Sequence, residues 1–149
     1  MRLPLLATVV LMSISGCAMT NDMHNNNFPA VIAVPAPPNL VGTWTGSIGP
    51  YLATTKFEKD GTGVMCASWN GRDSLNRIKY DGMEVRYADG SRTSIKSLDG
   101  QVLVLRANYY FGADYTLHRD DEMKQAAPYC LEKLKLSGAK MSREEDVHP

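Results

Sequence analysis

The sequence lacks the residue patterns by which nucleic-acid and metal sites are usually recognised. Its 16 Lys and Arg equal its 16 Asp and Glu, and the basic residues are dispersed rather than clustered. Nucleic-acid binding needs a basic patch or stripe, so no nucleic-acid partner is expected. The three His and three Cys show no zinc-type spacing, and neither a calcium loop nor a phosphate-binding glycine loop occurs. We therefore expect no metal and no cofactor.

Catalytic motifs are missing as well. His118 lies two residues before Asp120, but no serine stands in a Gly-x-Ser-x-Gly context that would complete a triad. The adjacent carboxylates of Asp120 and Asp121 fit the start of a helix better than an acid–base pair. The sequence predicts a protein that is not an enzyme.

No apolar run is long enough to span a bilayer, which takes about 20 residues. The most apolar stretch, 3–12, follows Arg2 and ends shortly before Ser15, Gly16 and Cys17. A positive start, a short apolar segment and small residues at a cleavage site are typical of a secretory signal. An ordinary secretory signal with a chance cysteine is the simpler alternative.

Residues 14–17, Ile-Ser-Gly-Cys, resemble the bacterial lipobox. This resemblance implies a signal peptide over 1–16, cleavage before Cys17, and lipidation of that residue. Each buried acyl CH₂ contributes about 0.8 kcal/mol, so several chains make a stable membrane anchor. Ala18 in the second position implies the outer membrane, where we expect the protein on the periplasmic face.

If Cys17 carries lipid, Cys66 and Cys130 remain as a pair. In an oxidising compartment a disulfide is the natural interpretation, although two free thiols stay open as an alternative. Residues 17–39, with Pro35, Pro37 and Pro38, are predicted to form an extended tether.

From Leu40 onward the apolar residues alternate with polar ones, which is typical of half-buried antiparallel strands. Four Asp-Gly pairs, strong hairpin signals, separate these runs. The predicted fold is all-β: a small antiparallel meander or up-and-down barrel of about eight strands. The strands are expected at roughly 40–47, 51–58, 63–69, 74–80, 83–88, 91–97, 101–107 and 113–119.

After Arg119 the residues favour a short C-terminal helix, which Pro128 is expected to divide in two. The second piece, 129–136, would be held to the barrel by Cys130. The domain thus spans 40–136, and the charged segment 137–149 is predicted to be a disordered tail.

Gly42-Thr43-Trp44 near the start of a small barrel resembles the first strand of lipocalin-like domains, in which the tryptophan closes the barrel bottom. The order of motifs from Leu40 to Cys130 also resembles a family of small bacterial lipoproteins. Neither resemblance implies a particular ligand. Strands of about seven residues enclose little beyond their own side chains, so a mostly packed interior with a small cleft at one mouth is expected.

The consecutive aromatics Tyr109, Tyr110 and Phe111 are the predicted interaction surface, because an extended strand cannot turn all three inward. The alternative is that the C-terminal helix covers the outward rings. Trp44 and Trp69 are assigned to the core or a barrel end.

Together these features predict a lipid-anchored, non-enzymatic binding module of the envelope. Its partners would be the membrane, through the lipid, and an envelope protein; the sequence leaves the oligomeric state open. One alternative is a lipocalin-like binder of a small apolar ligand. Another rests on 137–140, Ser-Gly-Ala-Lys, which resembles the inhibitory loop of periplasmic lysozyme inhibitors, although Met141 replaces their tyrosine.

Overall fold

The computed structural model describes residues 26–109 and 111–145, with side chains up to Leu136. Its eight strands follow one another in sequence order around a closed antiparallel barrel, which confirms the predicted fold class. The strands are β1 Gly42–Ile48, β2 Tyr51–Phe57, β3 Thr62–Trp69, β4 Arg72–Tyr80, β5 Glu84–Tyr87, β6 Arg92–Leu98, β7 Val102–Ala107 and β8 Asp114–Arg119.

The four Asp-Gly pairs lie in the turns that the sequence predicts. Each of these glycines has a positive φ, which costs glycine little. The preceding aspartate accepts a hydrogen bond from a backbone N–H two residues further on, as Asp60 does from Thr62 at 2.8 Å. Local chemistry therefore fixes where these strands reverse.

The barrel closes where β1 pairs with β8, with Gly46 opposite Leu117. A Cβ at Gly46 would stand 2.3 Å from the carbonyl oxygen of Thr116. Closure at this seam therefore requires a residue without a side chain.

Apolar side chains fill most of the interior. Trp44, Phe57, Val85 and Leu117 are buried together with the leucines of β7. The core extends to Leu40 just before the barrel. A packed interior agrees with the prediction from strand length.

The prediction of a free extended tether is wrong for residues 26–39, whereas 17–25 lie outside the described residues. Residues 26–41, which we call the strap, lie against the barrel, with a 3₁₀ turn at Phe28–Ala30. The backbone N–H of Val34 donates to Tyr80 and that of Ala36 to Lys59. At Gly61 a Cβ would stand 1.9 Å from the carbonyl oxygen of Val34, so the contact is close. Proline favours extended backbone here, but the extended chain packs instead of hanging free.

The C-terminal region corrects two further expectations. Residues 120–127 form turns, and one helix, α1, runs over Pro128–Glu145. Pro128 begins this helix instead of dividing one, since the first turn leaves its N–H groups unbonded. The predicted disordered tail is thus helical up to Glu145, and 146–149 lie outside the described residues.

Helix α1 packs on the outer face of β3. There Cys66 and Cys130 are fully buried and paired as a disulfide, with their Cα atoms 5.5 Å apart. Ala127 and Leu134 complete a small apolar cluster around them. In the part of the chain that the structure describes, no helix has the length and apolar character needed to cross a membrane.

Candidate functional site

The two ends of the barrel differ. Because successive strands are antiparallel, the connections 49–50, 70–71, 88–91 and 108–113 all lie at one end, which we call the open end. Residues 34–41 of the strap and the turn at Asp120 lie at the opposite end, which we call the sealed end. The strap's first residues lie along the outside of β4.

Trp44 closes the sealed end. Its indole N–H donates to the Leu40 carbonyl at 2.8 Å, and the ring is fully buried. The guanidinium of Arg119 lies 5.1 Å from the ring centroid and donates to the Val41 carbonyl at 2.7 Å. A guanidinium over an indole face is a favourable cation–π arrangement. The packing of Trp44, Leu40 and Arg119 thus closes this end of the barrel, and we call it the plug.

Asp121 holds Arg119 in this position. One carboxylate oxygen accepts from the Arg119 Nε–H at 2.8 Å, and the other accepts from the Thr43 backbone N–H at 2.9 Å. Partial burial raises the pKa of Asp121, but these hydrogen bonds and the nearby guanidinium outweigh it and hold the pKa below its ordinary value of 3.8. The carboxylate is therefore ionised and keeps its partners.

A cleft of about 240 Å³ lies at the open end. Strand alternation turns Ile48, Met65 and Ala67 toward it, while Arg72 and Ser74 give it a polar side. Drug-sized ligands usually occupy clefts of about 300–1,000 Å³. This cleft is smaller, because the core below it is filled.

Tyr51 lines the cleft, and Trp69 lies beside it. Tyr51 and Trp69 make an edge contact with ring centroids 5.8 Å apart. The Arg72 guanidinium lies 5.9 Å from the centre of the Trp69 ring. Trp69 is nevertheless 42% exposed. The assignment of Trp69 to a barrel end agrees with this position.

The predicted surface over Tyr109, Tyr110 and Phe111 lies in the connection between β7 and β8, at the same end. Phe111 is 94% exposed and Tyr109 is 51% exposed; Tyr110 lies outside the described residues. The alternative that the C-terminal helix covers these rings is wrong for Phe111 and Tyr109, because α1 packs on β3 instead. We call Tyr51, Trp69, Tyr109 and Phe111 the aromatic rim.

The hydroxyls of Tyr109 and Tyr115 lie 2.9 Å apart. The hydrogen bond with Tyr109, together with partial burial, raises the pKa of Tyr115 to about 12. Tyr115 is thus neutral at neutral pH. This side of the rim presents an exposed aromatic ring and a hydrogen-bonded hydroxyl pair.

The outcome for the other predicted positions is mixed. Cys17 lies outside the described residues, whereas Cys66 and Cys130 are brought to bonding distance far from the open end. Residues 137–140 are helical and form no loop, so the geometry behind the lysozyme-inhibitor alternative is not present. The sequence interpretation missed Tyr51, Arg72 and Arg119. All three occupy inward-facing positions in the alternation of their strands, and this alternation could have identified them.

Among residues 26–109 and 111–136, no group of three His, Cys, Asp or Glu is placed to hold a metal ion. A closed eight-stranded barrel with a tryptophan-sealed end and an open end defines the chain as a lipocalin-like β-barrel protein. The chain belongs to a bacterial family described as "Bacterial lipocalin LPS transport optimiser YedD", whose family model matches residues 25–134. The predicted resemblance to lipocalin-like bacterial proteins is confirmed. No curated protein and no solved structure matches the chain.

Proposed function

We propose that this protein is a non-enzymatic interaction module of the bacterial envelope, which supports lipopolysaccharide transport by binding a protein of that pathway through its aromatic rim. The family description supplies the process. A lipid on Cys17 would hold the protein at the periplasmic face of the outer membrane, where a transport assembly can be reached.

The observation that carries this proposal is the contrast between a filled interior and an exposed rim. Trp44, Phe57 and Leu117 occupy the space that a lipocalin-like carrier would keep for a ligand. Three exposed aromatic side chains, Trp69, Tyr109 and Phe111, lie at the open end. The other large exposed apolar residues are aliphatic and stand singly on separate elements: Ile32, Leu75, Met83 and Leu136.

The composition of the rim suits a protein partner. Trp, Tyr and Arg are the residues most enriched at the energetic centres of protein interfaces. Tyr51, Trp69 and Arg72 already contact one another, so little side-chain freedom remains to be lost on binding.

A second candidate function is binding of a small apolar group in the cleft itself. Ile48, Met65 and Ala67 give this cleft an apolar wall. The cleft could take one short apolar segment, so the two functions predict different effects of the same variants.

Complementation of a strain that lacks the gene separates them. Trp69→Ala should weaken partner binding at least roughly 30-fold, the effect of losing a hot-spot residue. The outer membrane of a strain with this variant should be as permeable to large hydrophobic antibiotics as that of the deletion strain. Ala67→Phe fills the cleft and should complement fully. Leu75→Ala is the matched control, since Leu75 is 45% exposed but lies on the outer face of β4.

A photo-crosslinking residue at position 111 identifies the class of partner. We expect adducts with a protein of lipopolysaccharide transport. Adducts with the glycolipid itself, together with loss of function in Ala67→Phe alone, would favour the ligand-binding function. Full complementation by Trp69→Ala would refute the rim as the functional surface.

A further inference from the structure

A second cleft lies outside the barrel and takes no part in the proposed rim contact. It has a volume of about 260 Å³ and lies over the outer surface of β3 and β4. Phe28 of the strap forms one wall, Leu134 of α1 forms the other, and Val64 contributes to the floor. We call it the side groove. One wall comes from the segment predicted to be a tether, and the other comes from the predicted C-terminal helix.

The groove is apolar between its charged margins. Phe28 and Leu134 are buried residues of the two flanking segments, and Val64 packs with the cluster around the disulfide. At about 30 Å³ per water-sized group, the volume holds about nine such groups. That is the size of one stretch of acyl chain.

Two cations at the groove, Arg77 and Lys79, have no carboxylate partner among the described residues. Lys56 is paired with Glu58 at 2.7 Å. The Lys79 ammonium donates to the carbonyls of Phe28, Pro29 and Val31, at 3.1, 3.5 and 2.7 Å, so its three N–H groups are already used. Arg77 lies 6.0 Å from the centre of the Phe28 ring and forms no ion pair with any described residue.

Both cations lie beside the Phe28 ring, but only Lys79 is held there by hydrogen bonds to described residues. The Lys79 ammonium lies 4.8 Å from the centre of the same ring, and its bonds to the strap carbonyls hold the Phe28 wall in place. The exposed Arg77 guanidinium is free to bind a phosphate with two parallel hydrogen bonds. A ligand that matches the apolar volume and the nearby cation therefore has one acyl chain with a phosphate next to it.

We propose that the side groove binds one acyl chain of a phosphate-bearing glycerolipid, with its phosphate on Arg77. The site is independent of the aromatic rim, so its failure would leave the proposed function untouched. It would hold a membrane lipid against the outside of the barrel.

The test uses the full chain in dodecyl maltoside micelles, whose headgroup carries no phosphate, and a 1-acyl-glycerol-3-phosphate with a diazirine in its chain. After illumination, mass spectrometry should place adducts on the peptides that contain Phe28, Val64 and Leu134. Arg77→Gln should lower the yield about fivefold, the effect of removing one cation near a lipid phosphate. Lys124→Gln, which removes a highly exposed charge elsewhere, should leave it unchanged.

A second probe and two further variants complete the experiment. A monoacylglycerol probe with the same chain and no phosphate should label the groove about as weakly as Arg77→Gln is labelled by the phosphate probe. Val64→Trp fills the floor and should abolish labelling, while Trp69→Ala should label like the unchanged chain. Equal yields from the two probes, or adducts spread away from the groove walls, would overturn the proposal. If Val64→Trp does not fold, Arg77→Gln decides.

Discussion

Removal of the disulfide offers the most direct test of how the terminal helix is held. Cys66 and Cys130 are separated by 64 positions and connect β3 to the first turn of α1. For a loop of this length the chain-entropy relation gives about 14 cal/mol/K, or about 4 kcal/mol at 25 °C. The double variant Cys66→Ala/Cys130→Ala should lose this amount in the free energy of unfolding.

The expected change in melting temperature follows from domain size. About 120 described residues at about 2.1 cal/mol/K each give an unfolding entropy of about 250 cal/mol/K. A loss of about 4 kcal/mol then lowers Tm by about 15 °C. The packing that remains between helix and barrel is small, chiefly Ala127 and Leu134 with their neighbours, so we expect α1 to leave β3 before the barrel unfolds.

Thermal unfolding followed by circular dichroism measures the first effect, and proteolysis at low enzyme concentration measures the second. The double substitution leaves no unpaired thiol at the site. Met83→Ala, an exposed truncation in the turn before β5 and away from the disulfide, is the control and should keep the Tm of the unchanged chain. A Tm within about 5 °C of that value, with α1 still protected from the protease, would show that packing and not the cross-link holds the helix.

Three other predictions concern the sealed end and the core. Arg119→Gln should cost about 2 kcal/mol in urea unfolding, since it removes the cation over Trp44 and a charged hydrogen bond; unchanged stability would contradict the plug. Thr55→Val should stabilise by about 1 kcal/mol because the Thr55 hydroxyl is buried without a described partner. Thr54→Val should destabilise by about the same amount because it breaks a buried pair of hydroxyls 3.1 Å apart. A loss of stability in both variants would indicate a buried water at Thr55. Since the folded pKa of Asp121 is lowered, its stabilisation is present above pH 3.8 and lost as pH falls through the lowered value. Asp121→Asn should therefore cost about 1 kcal/mol at neutral pH, a value limited by solvent screening, and nothing in strong acid; a constant difference across an acid titration would refute this.

The strands were predictable because their signals are local. Alternation within each strand and the Asp-Gly pairs between strands depend on residues one or two positions apart. The predicted ranges therefore lie within a few residues of the observed strands.

The candidate site was only partly predictable. Tyr109 and Phe111 were found from their sequence, but the reason that they stay exposed is the position of α1, on the other side of β1 and β2 from β8. Tyr51 and Trp69 meet only because β2 and β3 pair in a particular register. Arg119 reaches Trp44 because the last strand closes on the first, a contact between residues 75 positions apart.

The sequence by itself determined the eight strands, their turns, the choice of an all-β fold and the pairing of Cys66 with Cys130 as a candidate cross-link. Only the tertiary structure decided which barrel end is sealed, that the strap packs rather than hangs free, and that the helix continues through the predicted tail. The physical reason is the sequence separation over which each kind of interaction acts. Turn chemistry and alternation act between neighbours, whereas the plug, the aromatic rim and the side groove each form from segments that only barrel closure brings together.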